Sequence, residues 1–231
     1  MRKFPHFVLL LLLAAAAAKS RAADVIDRIV ATVNGHVILQ SDWDDAVRFE
    51  AFVEGRPLDQ LSVQDRSRAL DRLIDQELLR EQAQGAESPQ PPADEVKKRI
   101  QEIQAQQAVT SPSAWQTALA RYGFDEKQFE ARVAHDLAVL RQVDARLRPS
   151  VQIDTQSIES YYHDKFLPKL HQVGSQDVPL AEVSARIREI LTQEKVNQLF
   201  SSWLQSLRAE SKIHTAVAGS SPPAASGGQG Q

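Results

Sequence analysis

Hydrophobic and polar positions follow two different patterns along the chain. In "RIVATVNGHVIL" (residues 28–39), two short runs rich in β-branched residues flank Asn34-Gly35. Asn-Gly is the preferred central pair of a two-residue hairpin turn, so this stretch predicts two antiparallel strands. The predicted register places Val33 opposite His36, Ala31 opposite Ile38 and Val30 opposite Leu39.

Both faces of the predicted hairpin are apolar. One face carries Ile29, Ala31, Val33 and Ile38, and the other carries Val30, Val37 and Leu39. A two-stranded ribbon is marginally stable alone, so we expect cover on both faces and a third strand. The alternating stretch "SKIHTAV" (residues 211–217) is the candidate for that strand. Its pairing would join the two ends of the fold and leave one sheet edge for a bound chain.

Over most of the remaining chain, apolar residues recur every three or four positions, which predicts amphipathic helices. Ser41 and Asp44 match a capping box at the start of the first helix, which ends at Gly55. The inward positions of the fifth helix are predicted to be Phe129, Val133, Leu137, Leu140 and either Val143 or Leu147. The predicted helices cover about residues 42–54, 63–83, 93–107, 111–122, 124–148, 155–166 and 179–210.

These patterns define the fold class as mainly α, with a small antiparallel β element formed by the N-terminal hairpin and a C-terminal strand. The last helix begins at Pro179 and would reach about 40 Å. Residues 167–178 lack periodicity and predict a connector. The small, polar tail at residues 218–231 predicts disorder, so the folded domain is expected over residues 23–217.

Residues 1–22 have the pattern of a secretory signal peptide. Two basic residues precede an apolar run over residues 7–18, which is short for a membrane span, and small residues follow it. We expect cleavage near Ala22 and Ala23 and export to the periplasm. A retained membrane anchor is the alternative.

The charge and the lack of cysteine exclude several kinds of function. Four of the 27 basic residues and none of the 30 acidic residues lie in residues 1–22, so their removal changes the net charge from −3 to −7. An acidic protein is a poor nucleic-acid binder. The absence of cysteine excludes disulfides, thiolate metal sites and a cysteine nucleophile.

The polar clusters of the sequence favour structural roles over catalysis. Asp42, Asp44 and Asp45 could ligate a metal, but acidic residues at a helix start usually cap it. His135-Asp136 and His163-Asp164 are sequence neighbours, and neighbouring helix positions do not face each other. We therefore predict no catalytic residues, no metal site and no cofactor.

The first helix carries more apolar residues than one narrow face needs. Phe49, Phe52 and Val53 are therefore candidates for contact with a bound polypeptide, since a surface that accepts many partners needs exposed apolar area. Ordinary core packing is the alternative for all three residues. Trp115 and Trp203 are in phase with apolar stripes and are predicted to lie in the core.

Five stretches resemble the N-terminal chaperone module of SurA-like periplasmic folding factors, which are relatives of the parvulin-type prolyl isomerases. They are "DRIVATVNGHVILQSDWD", "ALDRLIDQELLREQA", "YGFDEKQFEARVAHDLAVLR", "IESYY" and "IREILTQEKVNQLFSSWLQSLRAESKI". In such proteins, parvulin domains sit between the "IESYY"-like helix and the final helix. Here only residues 167–178 occupy that place, too few for a domain of roughly 50 residues or more.

The resemblance implies an exported, ATP-independent chaperone for unfolded polypeptides, such as outer-membrane protein precursors, without isomerase activity of its own. Two alternatives stay open. The protein could belong to the prolyl isomerases with residual or partner-supplied activity, or it could be a cell-envelope adaptor with one dedicated partner. Neither nucleic acid nor a stable membrane span after signal removal is expected, and the sequence leaves the oligomeric state open.

Overall fold

A three-stranded antiparallel sheet joins the N-terminal and C-terminal parts of the chain. The computed structural model describes residues 27–83 and 90–216. The strands are β1 (Ile29–Val33), β2 (His36–Leu39) and β3 (Ile213–Thr215), in the order β2-β1-β3. The predicted pairing of the C-terminal strand with the hairpin is confirmed. The predicted signal peptide, with Ala22 and Ala23, and the predicted tail lie outside the described residues.

The hairpin turn follows its sequence prediction. Asn34 and Gly35 have φ angles of 50° and 92°. A two-residue turn with both central residues in the left-handed region matches the twist of the flanking strands, which explains the Asn-Gly pair. The pairs Val33–His36 and Ala31–Ile38 occur as predicted.

The pairing register between β1 and β2 changes near the N-terminal end of β1. Leu39 pairs with Ile29 and not with Val30, because a β-bulge lies between Ile29 and Ala31. The predicted Val30–Leu39 pair is therefore wrong. The extra residue of the bulge exchanges the predicted faces of Ile29 and Val30. Val30 is therefore buried, and Ile29 is 47% exposed.

Eight α-helices account for most of the remaining described structure. They are α1 (Gln40–Val53), α2 (Val63–Gln82), α3 (Ala93–Gln106), α4 (Pro112–Arg121), α5 (Glu126–Leu147), α6 (Thr155–Tyr161), α7 (Leu167–Gln172) and α8 (Leu180–Glu210). Short 3₁₀ turns occupy Leu58–Gln60 and Arg148–Ser150, and a π-helical segment occupies Tyr162–Phe166. The mainly α fold class is thus confirmed.

The start of α1 differs from the prediction. The backbone N–H of Leu39 donates to Asp42 Oδ2 at 3.1 Å, so Asp42 supplies the cap and the helix begins at Gln40. The Ser41–Asp44 capping box is wrong. Ser41 instead hydrogen-bonds Asp27 through its backbone N–H and its hydroxyl, and Asp44 pairs with Arg66. The helix starts two residues earlier than predicted because the strand β2 runs directly into it.

The first core packs the sheet against helices from both ends of the chain. Buried residues of β1 and β2 contact α1 and α2, while Phe200, Trp203 and Leu204 of α8 pack against the same cluster. Arg208 extends this contact with hydrogen bonds to Asp75 Oδ1 at 2.6 Å and to the Asp71 carbonyl at 2.9 Å. The C-terminal helix is therefore held to the N-terminal part by apolar and polar contacts.

The second core is aromatic and lies between α1, α3, α4 and α5. Its largest members are Phe49, Phe52, Trp115 and Phe129. The Phe129 ring lies 5.2 to 5.4 Å from the rings of the other three. Such tilted and edge-on pairs stabilise a core beyond the area that they bury. The predicted core position of Trp115 is confirmed, and Trp203 is partly buried against the first core.

The α5 helix contacts both cores along its length. Phe129 and Val133 are buried in the second core, and Val143 is buried in the first. The inward face of α5 therefore changes between its two halves. Leu140 falls on neither face and is 60% exposed, so its predicted inward position is wrong.

A third, smaller cluster forms where α6 contacts the N-terminal half of α8. Ile158, Tyr162 and Ile187 are its buried members. The 31 residues of α8 span about 46 Å, which lets one helix reach this cluster and the first core. The connector predicted at residues 167–178 is helical in its first half, because α7 continues the preceding π-helical segment.

Among the residues that the structure describes, each helix is either too short or too polar to span a lipid bilayer.

Candidate peptide-binding groove

The three residues predicted to contact a polypeptide lie on one end of α1. Phe49 and Phe52 are buried at 8% and 2% exposure, and Val53 is partly buried against the same aromatic core. The Arg132 guanidinium covers the Phe49 ring at 5.3 Å. Both phenylalanines are therefore core residues in this conformation, as the alternative interpretation expected, and contact of these residues with a peptide stays an untested prediction.

The acidic cluster at the start of α1 has three structural roles. Asp42 accepts the N-terminal backbone hydrogen bond, Asp44 pairs with Arg66, and Asp45 pairs with Arg48. These carboxylates bind separate partners on separate elements. Capping and ion pairing thus account for the residues that the sequence also allowed as metal ligands.

The two His-Asp neighbours are separated in the structure as helix geometry requires. Asp136 pairs with Arg132 one turn earlier on α5, while His135 lines a groove described below. His163 packs its ring edge-on against Tyr162. The ion pair of Asp136 and the ring contact of His163 are thus made with residues other than the adjacent His or Asp.

A groove of about 340 Å³ lies between β2, α2 and α5, and we call it the β2 groove. Its apolar lining comes from Val37, Ile38, Leu73, Leu79 and Val139. This volume is in the lower range of binding pockets, and an apolar lining favours side chains such as Leu, Val or Phe. The β2 groove is thus the right size for a few apolar side chains of a bound chain.

Charged residues of both signs surround the apolar lining. Asp42, Asp45 and Glu77 contribute negative charge, and Arg80 and Arg132 contribute positive charge. A balanced rim does not repel either acidic or basic ligands strongly. The groove thus has no charge preference strong enough to select one sequence.

One wall of the groove is an edge of the sheet. In the described part of the chain, β2 pairs with β1 alone and forms one edge. An edge strand presents one row of backbone N–H and C=O groups that can pair with another strand. Val37 on this strand is 52% exposed, so the predicted cover on both faces of the hairpin is wrong at this residue.

A set of charged residues links α1, α2 and α5, and one of them, Arg132, also lines the β2 groove. Arg72 pairs with Glu50 across the helices, and Asp136 pairs with Arg132 at 3.5 Å. Burial raises the pKa of Asp136, although the positive charge of Arg132 acts in the opposite direction. Its Oδ1 atom is fully enclosed and accepts no hydrogen bond from the described residues. Ionised Asp136 is therefore less stable here than in water.

Two further depressions occur among the described residues. One of about 370 Å³ lies between α3, α4 and α5, and one of about 440 Å³ lies beside α6 and α8. Neither is lined by a residue of the sheet. The β2 groove combines an apolar lining with an open strand edge, which makes it the best candidate for binding an extended chain.

The residues of this groove are not recognisable from the sequence pattern. Leu73 and Leu79 lie on α2 and Val139 lies on α5, and all three follow ordinary helical periodicity, so nothing in the sequence distinguishes them from core residues. A signal did exist for Val37, which lies on the second apolar face of the hairpin. An apolar face without an assigned partner predicts either a further element or a binding surface.

Comparisons with known proteins agree with the fold. A family model described as the SurA-like N-terminal domain matches residues 4–143. The comparison with curated proteins gave no match. The matched segment contains the hairpin, the groove and the aromatic core, whereas α8 and β3 lie beyond it.

The molecule is a mainly α protein with a three-stranded antiparallel sheet and an apolar groove at one sheet edge. The chain belongs to the SurA-like N-terminal domain family, as the sequence resemblance predicted. Membership of this family indicates a chaperone-related role.

Proposed function

We propose that this protein is an exported, ATP-independent chaperone that holds unfolded polypeptide segments in the β2 groove. One observation carries the proposal: a member of the SurA-like N-terminal domain family has an apolar groove beside an open sheet edge. Main-chain hydrogen bonds to an edge strand depend little on sequence, and a shallow apolar groove accepts many side chains. Together they suit the capture of varied clients.

An extended client would add to β2 as a further antiparallel or parallel strand. Every second side chain of such a strand points to the same face, so alternate client residues would enter the groove beside Val37 and Leu79. Ordering an unfolded segment costs conformational entropy, which keeps the affinity low. The client would therefore leave by mass action as it folds, without ATP.

The proposed clients are precursors of outer-membrane proteins in the periplasm. Strands of such barrels alternate apolar and polar residues, which is the pattern that an edge strand beside a one-sided apolar groove accepts. The location rests on the signal-peptide pattern of residues 1–22. A net charge of −7 after its removal would keep the protein soluble.

We also propose that the chain has no isomerase activity of its own. Between the π-helical segment that ends at Phe166 and the start of α8 at Leu180, the chain forms α7 and a short connector. A domain needs roughly 50 residues or more, so this interval cannot hold one. In proteins of the SurA type, this is the position of the parvulin domains.

Suppression of aggregation tests the main proposal. The chain without residues 1–22 is added, in stoichiometric excess and without ATP, to a denatured outer-membrane protein as the denaturant is diluted. Light scattering should fall in proportion to the chaperone concentration. Unchanged scattering at stoichiometric excess would reject the proposal.

Two further assays separate the alternatives. Proline-limited refolding of a model protein should show no acceleration, and an increased rate would instead support an isomerase. Affinity capture from a cell-envelope extract should recover many clients in sub-stoichiometric amounts. A single stoichiometric partner would favour an adaptor.

A further inference from the structure

Three potential metal ligands meet beside the hairpin turn. His36 is the first residue of β2, and Glu77 and Glu81 lie one helical turn apart on α2. Within this trio, one ligand atom from each residue lies within 4.8 Å of the other two. The sequence pattern does not reveal this site, because the histidine and the glutamates belong to separate elements that only the tertiary fold brings together.

The distances agree with ligands of one small metal ion. His36 Nδ1 lies 3.4 Å from Glu77 Oε1 and 3.7 Å from Glu81 Oε1. Two ligands at about 2.0–2.2 Å from a tetrahedral zinc ion are separated by about 3.3–3.6 Å. The same distances exceed the usual N–H···O length of about 2.9–3.0 Å. The two distances from His36 are therefore close to those between ligands of one zinc ion, and the ligand oxygens of Glu77 and Glu81 lie within 4.8 Å of each other.

Neighbouring residues already orient both carboxylates. Asn34 Nδ2 donates to Glu81 Oε2 at 2.6 Å, which leaves Glu81 Oε1 directed to His36. Arg80 donates to both oxygens of Glu77 at 2.8 and 2.6 Å. Hydrogen bonds of this kind hold ligating carboxylates in position. Arg80 is half exposed, so it can give up its bond to Glu77 Oε1 without leaving a buried charge.

The charges also favour a cation. Two carboxylates stand beside one guanidinium, and their side chains are only 16% and 18% exposed. Partly buried carboxylates repel each other more strongly than exposed ones, because the surrounding dielectric constant is lower. A divalent ion would offset this repulsion and accept the lone pair of the neutral imidazole.

We propose that His36, Glu77 and Glu81 bind a divalent transition-metal ion, with zinc as the leading candidate and water as the fourth ligand. One imidazole nitrogen and two carboxylate oxygens suit zinc, whereas magnesium and calcium prefer oxygen ligands alone. The ion would join the hairpin to α2 at the mouth of the β2 groove, since Glu77 also lines that groove.

Calorimetric titration with zinc chloride tests the site. The chain without residues 1–22 is prepared without a histidine tag and treated with a chelator, and then titrated near neutral pH. We expect one equivalent of zinc to bind and to raise the midpoint of thermal unfolding, because a ligand of the native state stabilises it. Magnesium at the same concentration should leave the midpoint unchanged.

Two variants and one control make the test specific. His36→Ala removes the imidazole, and Glu81→Gln removes a charge while keeping an oxygen for Asn34; each should weaken zinc binding more than about tenfold. The control, His171→Ala, removes a histidine that pairs with the single carboxylate of Asp177 and should bind zinc like the parent.

The circular dichroism spectrum of each variant reports whether it folds. If His36→Ala does not fold, the zinc affinity of Glu81→Gln decides the test. An absence of stoichiometric zinc binding to the parent would overturn the proposal. Equal zinc affinity in the parent and in a folded site variant would overturn it as well, because it would mean adventitious binding elsewhere.

Discussion

Asn34 and Lys212 exchange two hydrogen bonds across the ends of the fold. The Asn34 backbone N–H donates to the Lys212 carbonyl at 2.9 Å, and the Lys212 N–H donates to Asn34 Oδ1 at 2.8 Å. The same amide side chain donates to Glu81 at 2.6 Å. A single turn residue therefore contacts the approach to β3 and the helix α2, in addition to forming the hairpin.

Replacing Asn34 by glycine should weaken this connection without altering the turn. Glycine adopts the left-handed conformation freely, so Asn34→Gly removes the side-chain bonds and keeps the backbone geometry. We expect a loss of about 1–2 kcal/mol in the free energy of unfolding, measured by urea denaturation. An unchanged free energy would show that these bonds add nothing to the closure of the sheet.

The aromatic core should be sensitive to truncation at its centre. Phe129 is 1% exposed and contacts four other aromatic rings, so Phe129→Ala should cost about 3–5 kcal/mol in the free energy of unfolding. Leu140→Ala on the same helix is the control, and its effect should stay within about 0.5 kcal/mol. A large loss in the Leu140 variant would contradict the exposure of that residue.

The stability should respond to Asp136 in a pH-dependent way. Its folded-state pKa is raised by burial, so protonated Asp136 favours the folded state below the unfolded pKa of about 3.9. This contribution is lost as the pH rises through the raised pKa. Asp136→Asn should therefore raise the thermal midpoint at pH 7 relative to the parent, and the difference should disappear near pH 3.

Differential scanning calorimetry at both pH values measures this effect. The exposed Asp164 provides the control, since Asp164→Asn should leave the midpoint nearly unchanged at pH 7. A lower midpoint for Asp136→Asn at pH 7 would mean that the attraction to Arg132 outweighs the cost of burial.

A charge on the open sheet edge should interfere with client binding. Val37→Lys places an ammonium group on β2, where lysine opposes the addition of another strand. We expect suppression of aggregation to fall several-fold, while the free energy of unfolding changes by less than about 0.5 kcal/mol because Val37 is exposed.

The matched control for this prediction is Val173→Lys. Val173 is 70% exposed and lies after α7, away from the groove. This variant should suppress aggregation as well as the parent does. Equal activity of both variants would place client binding outside the β2 groove.

The local rules of the sequence were sufficient for most elements. Asn34-Gly35 predicted the turn, and Ser111, Asp125 and Asp154 cap α4, α5 and α6 because each accepts a bond from a backbone N–H three residues later. The alternation around Ile213 predicted the third strand. The turn and the caps depend on contacts between residues close in sequence. The third strand is needed because the apolar hairpin is marginally stable alone.

Local sequence patterns did not predict three features: the buried face of a helix that packs against two cores, the bulge in β1, and the short helix α7. Leu140 fits the helical period of α5, but the buried face of that helix changes between the two cores. The bulge in β1 shifted Val30 to the buried side. The connector prediction missed α7, because Pro168 and the absence of periodicity hid a helix that simply continues the preceding one.

The helical fold class, the hairpin with its third strand and the family of the chain can all be predicted from the order of the residues. The burial of Phe49 and Phe52, the position of Val37 at a groove and the meeting of His36 with two glutamates become visible only in the folded chain. Periodicity assigns a side chain to a face of its own element. Whether another element covers that face depends on contacts between residues far apart in the chain.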